Sequence, residues 1–364
     1  MTEHAAMESN TFDTRIRDIL AIHFDPEHGT PFWLDRAREL GFDPREAIRT
    51  TEDLPRLGLM QPEMLRARPI EDLLPQSLRD RSSEVILART GGTLGRPVWT
   101  AYTDSEFHEA FVEPFIAAAS YTGFPTGGVW LYVGPAGPHI IARAAEALAR
   151  RTGSATPFCV DFDATWAKKL ISGSFAETRY LQHIVEQAMD IIRMHPIDTL
   201  FSTPVVIKSL GEALNEEQRS RLRGVHYGGL AIDAKEMYRL QTERFPNAVH
   251  LSGYGNTLFG CCLELDVSPG RELRYFPHGL RTLFGVLSEG QPQTVSKPDY
   301  CTAGVSGRLV FTRLDPAIFL ANMLERDRVR LINPPSDAPA AFRSIGVASP
   351  EPLDLRNGRP AVSL

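Results

Sequence analysis

The spacing of apolar residues divides the chain into a helical beginning and a longer part in which strands and helices alternate. Residues 12–66 place leucine, isoleucine and aromatic side chains three or four positions apart, with breaks at Gly41 and Pro44, and this spacing predicts amphipathic helices. From about residue 84, amphipathic stretches alternate with short apolar runs at 84–88, 98–102, 129–133, 157–161, 199–202, 224–227 and 248–251. Such alternation predicts right-handed crossovers and a mostly parallel sheet with helices on both faces.

A second β-rich region follows residue 261. The runs at 262–265, 273–276, 283–287 and 307–312 have no helical pattern between them, which predicts a small antiparallel β subdomain. We therefore predict an α/β protein with four regions: an N-terminal helical region (1–80), an α/β core (81–260), a β-rich subdomain (261–332) and a C-terminal tail (333–364) rich in proline and small residues.

Composition excludes several classes of protein. The net charge of −6 disfavours nucleic acid as a partner, because phosphate-binding surfaces require clustered positive charge. No apolar run reaches the roughly 20 residues of a membrane span, and residues 1–10 lack the basic start and apolar stretch of a signal peptide. Four cysteines in 364 residues do not make a disulfide scaffold. We therefore expect a cytoplasmic protein that binds neither nucleic acid nor a membrane.

Residues 89–97 form the first candidate functional segment, with the sequence Arg-Thr-Gly-Gly-Thr-Leu-Gly-Arg-Pro. Glycines let successive backbone N–H groups converge on an anion, while threonine and arginine add donors. The segment contains the candidate phosphate-binding residues Thr90, Gly91, Gly92, Thr93, Gly95 and Arg96. It is not the usual P-loop, because no Gly-Lys-Ser/Thr follows. Its position between two strand-like runs equally predicts a glycine-rich hairpin turn, and spacing alone does not decide.

Two further glycine-bearing segments follow predicted strands. The first contains Gly228 and Gly229, and the second contains Gly253, Tyr254 and Gly255 with Thr257 close behind. Loops at the carboxyl ends of parallel strands meet at one edge of a sheet, where ligands bind. Three such loops together predict a nucleotide site.

Taken in order, these segments resemble the adenylate-forming superfamily of acyl-CoA synthetases, adenylation domains and luciferases, especially its phenylacetate–CoA ligase branch. Residues 90–97 are similar to the family's Ser-Gly-Thr-Thr-Gly-x-Pro phosphate loop, and residues 254–257 to its Tyr-Gly-x-Thr-Glu signature. Residues 307–312 look like the strand before its Tyr-Arg-Thr-Gly-Asp segment. The resemblance covers roughly residues 50–332 and implies the family's large-domain fold.

The resemblance also implies roles for single residues. Thr90, Gly91, Gly92, Thr93 and Gly95 would enclose the phosphates of ATP, with Thr90, Arg96 and Thr257 as the catalytic group. Gly228 and Gly229 would lie along the adenine, Tyr254 and Gly255 would pack on it, and Asp327 would bind the ribose hydroxyls. His139, at the end of the stretch 134–139, and Gly253 would line the acid pocket. A turn-capping role for His139 stays an open alternative.

Two departures from the family pattern change what we expect. Leu258 stands where the family has a glutamate that holds Mg²⁺, and a leucine cannot bind a hard cation. Mg²⁺ is still expected with ATP, because the resemblance implies it, but it would use other oxygens or water or be weakly held, and no protein ligand for it is predicted. Only 37 residues follow Asp327 (364 minus 327), and residues 331–364 contain no lysine. The mobile C-terminal domain with its catalytic lysine is therefore expected to be absent or degenerate.

Large-domain-only members of the superfamily include adenylating proteins of phenazine antibiotic biosynthesis and acyl-protein synthetases of bacterial bioluminescence. The first resemblance implies ATP-dependent activation of an aryl carboxylic acid, such as phenazine-1,6-dicarboxylate, as an acyl-adenylate that a partner reductase or acyl-acceptor protein collects. The second implies an acyl-enzyme on a cysteine, although Cys261 and Cys262 lie in a predicted strand and are expected to pack in the core. A degenerate binding protein without turnover is the third alternative, and a homodimer is left open.

Overall fold

The computed structural model describes residues 3–92, 96–229, 232–287, 298–300 and 302–353, with side chains from residue 12 onward. The described chain forms two compact units. The first consists of Met1–Thr90, Arg96–Ala110 and Phe276–Leu353, and the second is built on Phe111–Tyr275 together with Gly91 and Gly92. The four regions predicted from the sequence remain a prediction, because compactness does not define which segments fold independently.

The first unit begins with helices, namely α1 (Glu3–His23), α2 (Pro31–Leu40), α3 (Pro44–Ala47), α4 (Pro62–Arg66) and α5 (Gln76–Arg79). Gly41 ends α2 in the left-handed conformation, with φ of 73°, and Pro44 occupies the first turn of α3. Both predicted breaks are therefore confirmed, and each has the expected cause. The hairpin β1 (Ile86–Arg89) and β2 (Trp99–Tyr102) follows, with Ile86 opposite Tyr102, and then the short helix α6 (Asp104–Phe107).

The second unit is built on a sheet whose strands are β3 (Trp130–Val133), β4 (Phe158–Val160), β5 (Thr199–Ser202), β6 (Gly224–Tyr227), β7 (Val249–Asn256) and β8 (Gly260–Leu263). Their spatial order is β4-β3-β5-β6-β7-β8. All neighbours are parallel except β7 and β8, which form an antiparallel hairpin. Every residue of β3, β5 and β6 is buried, as expected for parallel strands covered on both faces.

Helices connect these strands, namely α7 (Glu113–Thr122), α8 (Ile140–Arg151), α9 (Ala164–Ala167), α10 (Phe175–Met194), α11 (Pro204–Ala213), α12 (Glu216–Arg221) and α13 (Ala234–Arg239). The helix α8 buries Ile140, Ala144 and Leu148 at a spacing of four residues, which is the amphipathic pattern of a helix packed on a sheet. The helix α10 begins at Phe175. Ser174 sets this start, because its side chain accepts a hydrogen bond from the backbone N–H of Glu177.

After the short strand β9 (Arg274–Tyr275), the chain returns to the first unit and forms an antiparallel sheet of β10 (Thr282–Leu287), β11 (Ser306–Leu314), β12 (Phe319–Ile332) and β13 (Gly346–Pro352) in that order. Asn322 interrupts the register of β12 at a positive φ of 51°. Its buried side chain donates to the carbonyl oxygens of Leu54 and Gly58. Short 3₁₀ and π turns complete the secondary structure at Thr51–Leu57, Ile70–Leu73, Ser82–Glu84, His108–Val112, Leu240–Arg244 and Ala340–Phe342.

The predicted fold class is confirmed: a mostly parallel sheet lies between helices, and a smaller antiparallel sheet follows it in sequence. One local expectation was incomplete. Residues 346–352, which we had assigned to a surface tail, form the strand β13 and pair with β12, with Leu331 opposite Val347. The sequence-local signal for this strand is weak because Pro350, Glu351 and Pro352 make up its second half.

Candidate active site

Thr90 closes the hairpin that carries the glycine-rich segment. Its backbone N–H donates to the carbonyl oxygen of Val98 at 2.9 Å, and its Oγ1 accepts from the backbone N–H of Val98 at 2.9 Å. The hairpin alternative for this segment is therefore present in the structure. It does not exclude an anion site, because the Thr90 hydroxyl still has a hydrogen to donate. Thr93 and Gly95 lie outside the described residues.

Gly91 and Gly92 belong to the second unit. Gly92 has a positive φ of 64°, a conformation that glycine adopts without the strain of a Cβ atom. The carbonyl oxygen of Gly91 accepts a hydrogen bond of 3.1 Å from Nζ of Lys168. No local sequence signal points to Lys168, because it stands 77 positions from Gly91 and only the fold brings the two together.

The loop after β3 contains residues 134–139 and is fastened at several points. The backbone N–H of Gly134 donates to the carbonyl oxygen of Val160 at 3.1 Å. That of Ala136 donates to Oδ1 of Asp161 at 2.8 Å. His139 takes the N-cap position of α8, but its side chain makes no capping hydrogen bond. His139 therefore occupies the capping position without making the capping hydrogen bond. Its place in an acid pocket stays a prediction.

Gly228 and Gly229 follow β6 at the carboxyl edge of the same sheet. The backbone N–H of Gly228 donates to the carbonyl oxygen of Ser202 at 3.1 Å, and a Cβ atom at position 228 would lie 3.0 Å from Cε2 of Phe201. Gly229 has a positive φ of 83°. Close packing against Phe201 favours glycine at position 228, and the positive φ favours it at position 229. Both glycines therefore have a structural reason beside any contact with a nucleotide.

Gly253, Tyr254 and Gly255 lie in the second half of β7, which pairs with β8, and Thr257 follows in the turn between the two strands. The loop expected here from the sequence is therefore a strand, because β8 folds back and pairs with it. Tyr254 is half-buried, and its ring lies 5.6 Å from that of Tyr275 and 6.0 Å from that of Phe259, between centroids. A Cβ atom on Gly255 would overlap the carbonyl oxygen of Gly260 on β8, so the β7–β8 hairpin requires glycine at this position. The aromatic face that the sequence assigned to adenine thus belongs to a small cluster of rings, which fixes its orientation.

Leu258 is buried, at 5% exposure. Its backbone N–H donates to Oδ1 of Asn256 at 2.8 Å, as does that of Phe259 at 3.2 Å. This Asx turn closes the hairpin and turns the Leu258 side chain into the apolar interior. The position that would bind Mg²⁺ in the family therefore does not fit a metal ion. Within the described ranges, no three His, Cys, Asp or Glu side chains gather in a way that could hold a metal.

Buried polar groups support the strands below these loops. Nδ1 of His226 lies 2.9 Å from the carbonyl oxygen of Leu251, and burial lowers the pKa of His226 to about 4. Glu264 accepts hydrogen bonds from Nε of Arg271 at 2.9 Å and from the backbone N–H of Ser252 at 3.1 Å. Burial raises the pKa of Glu264, and the positive charge of Arg271 opposes that shift. These contacts hold β6, β7 and β8 in register, so the ends of the strands are fixed.

Two predicted site residues lie in the first unit. Asp327 on β12 is 9% exposed, and its Oδ1 lies 3.7 Å from Nε of Arg326. Burial and the neighbouring Asp327 raise the pKa of Glu325 to about 7. Arg96 is exposed, and its carbonyl oxygen accepts a bond of 2.6 Å from Nε of Arg66. The predicted roles of Asp327 and Arg96 stay predictions.

The cysteines of the second unit do not resemble nucleophiles. Burial raises the pKa of the Cys261 thiol to about 12, so the thiolate is not formed near neutral pH. Cys262 is buried in β8, as expected from the sequence. Cys159 is exposed on β4, and its thiol pKa is also raised, by partial burial and by the charge of Asp161.

Two aspartates after β4, Asp161 and Asp163, hold the local backbone. Asp161 holds the loop after β3 through Ala136. Asp163 is the N-cap of α9, where its Oδ1 accepts from the backbone N–H groups of Thr165 at 2.8 Å and Trp166 at 3.0 Å. The signal that could have revealed Asp163 was an N-cap residue directly before a short helical pattern.

No protein-family model and no curated protein matches this sequence. Solved structures do match its fold. The structure of 2-hydroxyisobutyryl-CoA ligase in the postadenylation state, in complex with R3-HIB-AMP, has a TM-score of 0.62 and 16% identity over 94% of this chain and 66% of that chain. An open conformation of the same ligase in complex with 2-HIB-AMP and CoA has a TM-score of 0.61 and 16% identity over 94% of this chain and 69% of that chain.

At this level of identity the comparison shows the fold alone: the chain shares the fold of 2-hydroxyisobutyryl-CoA ligase. The chain spans about two thirds of the length of that ligase. Among the helices that the structure describes, none is both long enough and apolar enough to cross a membrane.

Proposed function

We propose that this protein joins a carboxylic acid to AMP at the expense of ATP, releasing pyrophosphate. The observation that carries the proposal is that the glycine-bearing loops after β3 and β6 and the glycine-bearing end of β7 lie at one edge of the parallel sheet. The fold is shared with a ligase whose solved structures contain acyl-adenylates, which supports the same chemistry here.

In the proposed reaction, a carboxylate oxygen of the acid attacks the α-phosphorus of ATP. The bond from that phosphorus to the bridging oxygen breaks, and the electron pair leaves with pyrophosphate. Catalysis is positioning and stabilisation of negative charge. Gly91, Gly92 and Thr90 would bind the phosphates, Thr257 and Arg96 would contact the transferring group, and Asp327 would accept both ribose hydroxyls. Leu258 offers no ligand to Mg²⁺, so a Mg²⁺ ion that accompanies ATP would be held by other oxygens or by water.

A finer proposal concerns the acid and the acceptor. The order of the motifs and the lysine-free stretch 331–364 resemble the adenylating protein EhpF of phenazine antibiotic biosynthesis, in the griseoluteic acid route. We propose an aryl carboxylic acid, with phenazine-1,6-dicarboxylate as the first candidate, and a reductase as the partner that takes the activated carboxylate to an aldehyde.

ATP–pyrophosphate exchange across a panel of aryl and fatty acids tests the proposal. Exchange that depends on an added aryl acid is the expected result. Exchange with fatty acids alone would contradict the aryl substrate while preserving the reaction class. Tight binding of ATP or AMP without exchange for any acid would instead identify a binding protein without turnover.

A second candidate function is that of an acyl-protein synthetase, in which the acyl group moves to a cysteine of the chain. Labelled acid that remains on the denatured protein and is released by hydroxylamine would support it. The raised pKa of Cys261, about 12 because of burial, disfavours that residue as the acceptor. If a Cys261→Ala variant still retained the hydroxylamine-labile label, Cys261 would be excluded as the acyl acceptor.

A further inference from the structure

Lys168 places a positive charge beside the glycine-rich segment. Its Nζ donates to the carbonyl oxygen of Gly91 at 3.1 Å, and its side chain is partly buried. A Cβ atom on Gly91 would overlap Nζ, so the ammonium group lies directly against the backbone of the glycine-rich segment. Both residues belong to the second unit.

The backbone that carries Lys168 is fixed on both sides. Lys168 directly follows α9, whose first turn is capped by Asp163. The backbone N–H of Asp163 also donates to the phenolic oxygen of Tyr180 on α10 at 2.9 Å. Earlier in the same connection, Asp161 accepts from Ala136 in the loop after β3. The connection between β4 and α10 therefore joins the loop after β3 to the glycine-rich segment, and Lys168 is the residue at the second contact.

A backbone carbonyl is a neutral partner for an ammonium group, and a phosphate oxygen is a stronger one. Charge-assisted hydrogen bonds between an ammonium and an anionic oxygen are about twice as strong as neutral ones. Lysine acts as a compact point charge on a flexible stem, so its head can move a short distance while the stem stays in place. A polyphosphate on the N–H groups of Gly91 and Gly92 would thus lie within reach of Nζ.

We propose that Lys168 binds the β- and γ-phosphates of ATP and stabilises the pyrophosphate that leaves. The inference rests on the proposed adenylation. It adds the positive charge of a lysine to those of Arg89 and Arg96, which the glycine-rich segment itself carries. It predicts a selective effect: Lys168 discriminates ATP and pyrophosphate from AMP, because AMP has no β- or γ-phosphate.

The test compares the affinities of ATP, pyrophosphate and AMP for four proteins at one ionic strength, by calorimetry. These are the unaltered chain, Lys168→Ala, Lys168→Arg and Lys169→Ala. Lys169 is the matched control, because it is the adjacent lysine and is exposed. We expect Lys168→Ala to weaken ATP and pyrophosphate binding by about tenfold or more, the effect of about one lost charge-assisted bond. AMP affinity should change less than about twofold. Lys168→Arg should keep most of the ATP affinity, and Lys169→Ala should bind all three ligands as the unaltered chain does.

Each other outcome has a definite meaning. Equal ATP affinity in Lys168→Ala and in the unaltered chain overturns the inference and leaves the proposed function in place. An equal loss for ATP and AMP also overturns it, because the lysine would then only support the loop. If the unaltered chain binds neither ATP nor AMP, the proposed function itself fails.

Discussion

The phenolic hydroxyl of Tyr227 lies 2.6 Å from Nδ1 of His250, and both side chains are buried. Nε2 of the same imidazole lies 3.0 Å from the carbonyl oxygen of Phe245. Burial lowers the pKa of His250 to about 4, so the ring is neutral near neutral pH. Because a carbonyl oxygen only accepts, Nε2–H donates to Phe245, and Nδ1 accepts from the Tyr227 hydroxyl. This bond joins β6 to β7 one residue before Gly228.

Removal of that hydroxyl should destabilise the fold. Tyr227→Phe leaves Nδ1 of His250 buried without its donor, which costs about 1–3 kcal/mol of the free energy of unfolding. Urea unfolding measures the loss. Tyr238→Phe is the control, because Tyr238 is 48% exposed and a surface hydroxyl contributes little. An equal change in the free energy of unfolding of both variants would show that the Tyr227–His250 bond stabilises the fold no more than a surface hydroxyl does.

Acid should destabilise the second unit through its buried histidines. Burial lowers the pKa of both His226 and His250 to about 4, whereas an unfolded histidine titrates near 6.5. The unfolded state therefore binds more protons, and the stability that each neutral ring contributes is present above about pH 6.5 and is lost as the pH falls towards 4.

Each such histidine contributes about 1.4 kcal/mol per pH unit to the slope of stability against pH inside this window. Urea unfolding of the unaltered chain and of His226→Gln between pH 4.5 and 7.5 measures the difference. The slope of the unfolding free energy against pH should be smaller in the variant, by the amount that corresponds to about one bound proton. Parallel curves for the two proteins would mean that His226 titrates as it does in the unfolded chain.

Substitution at Gly92 should abolish nucleotide binding and leave the fold intact. Gly92→Val introduces a β-branched side chain at a φ of 64°, in the segment whose N–H groups would approach the phosphates. Gly153→Val is the matched control, because Gly153 has a φ of 85° in the same unit with nothing within 4 Å of a Cβ atom. Both variants carry backbone strain of about 1–3 kcal/mol. Undiminished ATP affinity in Gly92→Val would remove the segment from the site.

Asp327→Ala should weaken AMP binding by at least about tenfold, because a carboxylate that accepts two ribose hydroxyls makes charge-assisted bonds of about 1.5–3 kcal/mol each. The affinity for the free acid should stay almost unchanged. Glu351→Ala removes an exposed carboxylate from the neighbouring strand β13 and should not affect AMP. If Asp327 serves only as a partner of Arg326, the loss of AMP affinity will be under about 1 kcal/mol.

The 364-residue chain, mixed with ATP and its acid, should accumulate acyl-adenylate on the protein and form little CoA thioester when CoA is added. The reason lies in the proposed partner: an acyl-adenylate that a reductase collects has to stay on the protein, sheltered from water, until that partner binds. Mass spectrometry of the isolated complex, with and without CoA, measures both species. Rapid thioester formation by this chain would reject the expectation.

The sequence predicted the central sheet well because its strands are short and continuously apolar. The run 130–133 and the turn after it identify β3 without any tertiary information. The local pattern failed where partners distant in sequence decide the structure. The strand β13 exists because β12 offers it a pairing edge, and Asn322 holds a positive φ because Leu54 and Gly58 accept its amide hydrogens.

Only part of the candidate site could be predicted from the sequence. Glycine-bearing loops after strands are visible in sequence, because both glycine and the apolar strand before it are local signals. Lys168 is not, since a contact across 77 positions has no local signature. Neither is the ring cluster of Tyr254 and Tyr275, which depends on how the chain folds back after β8.

The loop after β3 is held by backbone atoms and by Asp161, while the strands beneath it are held by their own buried side chains. The side chains of Pro135 and Pro138 therefore have little part in the integrity of the sheet, whereas Gly137 has a φ of 67° that favours glycine. Random libraries at positions 135 and 138 should yield folded proteins at high frequency. If this loop faces the acid, such libraries offer a route to new acid selectivity, and this chain becomes a scaffold for enzymes that activate carboxylic acids of an engineer's choosing.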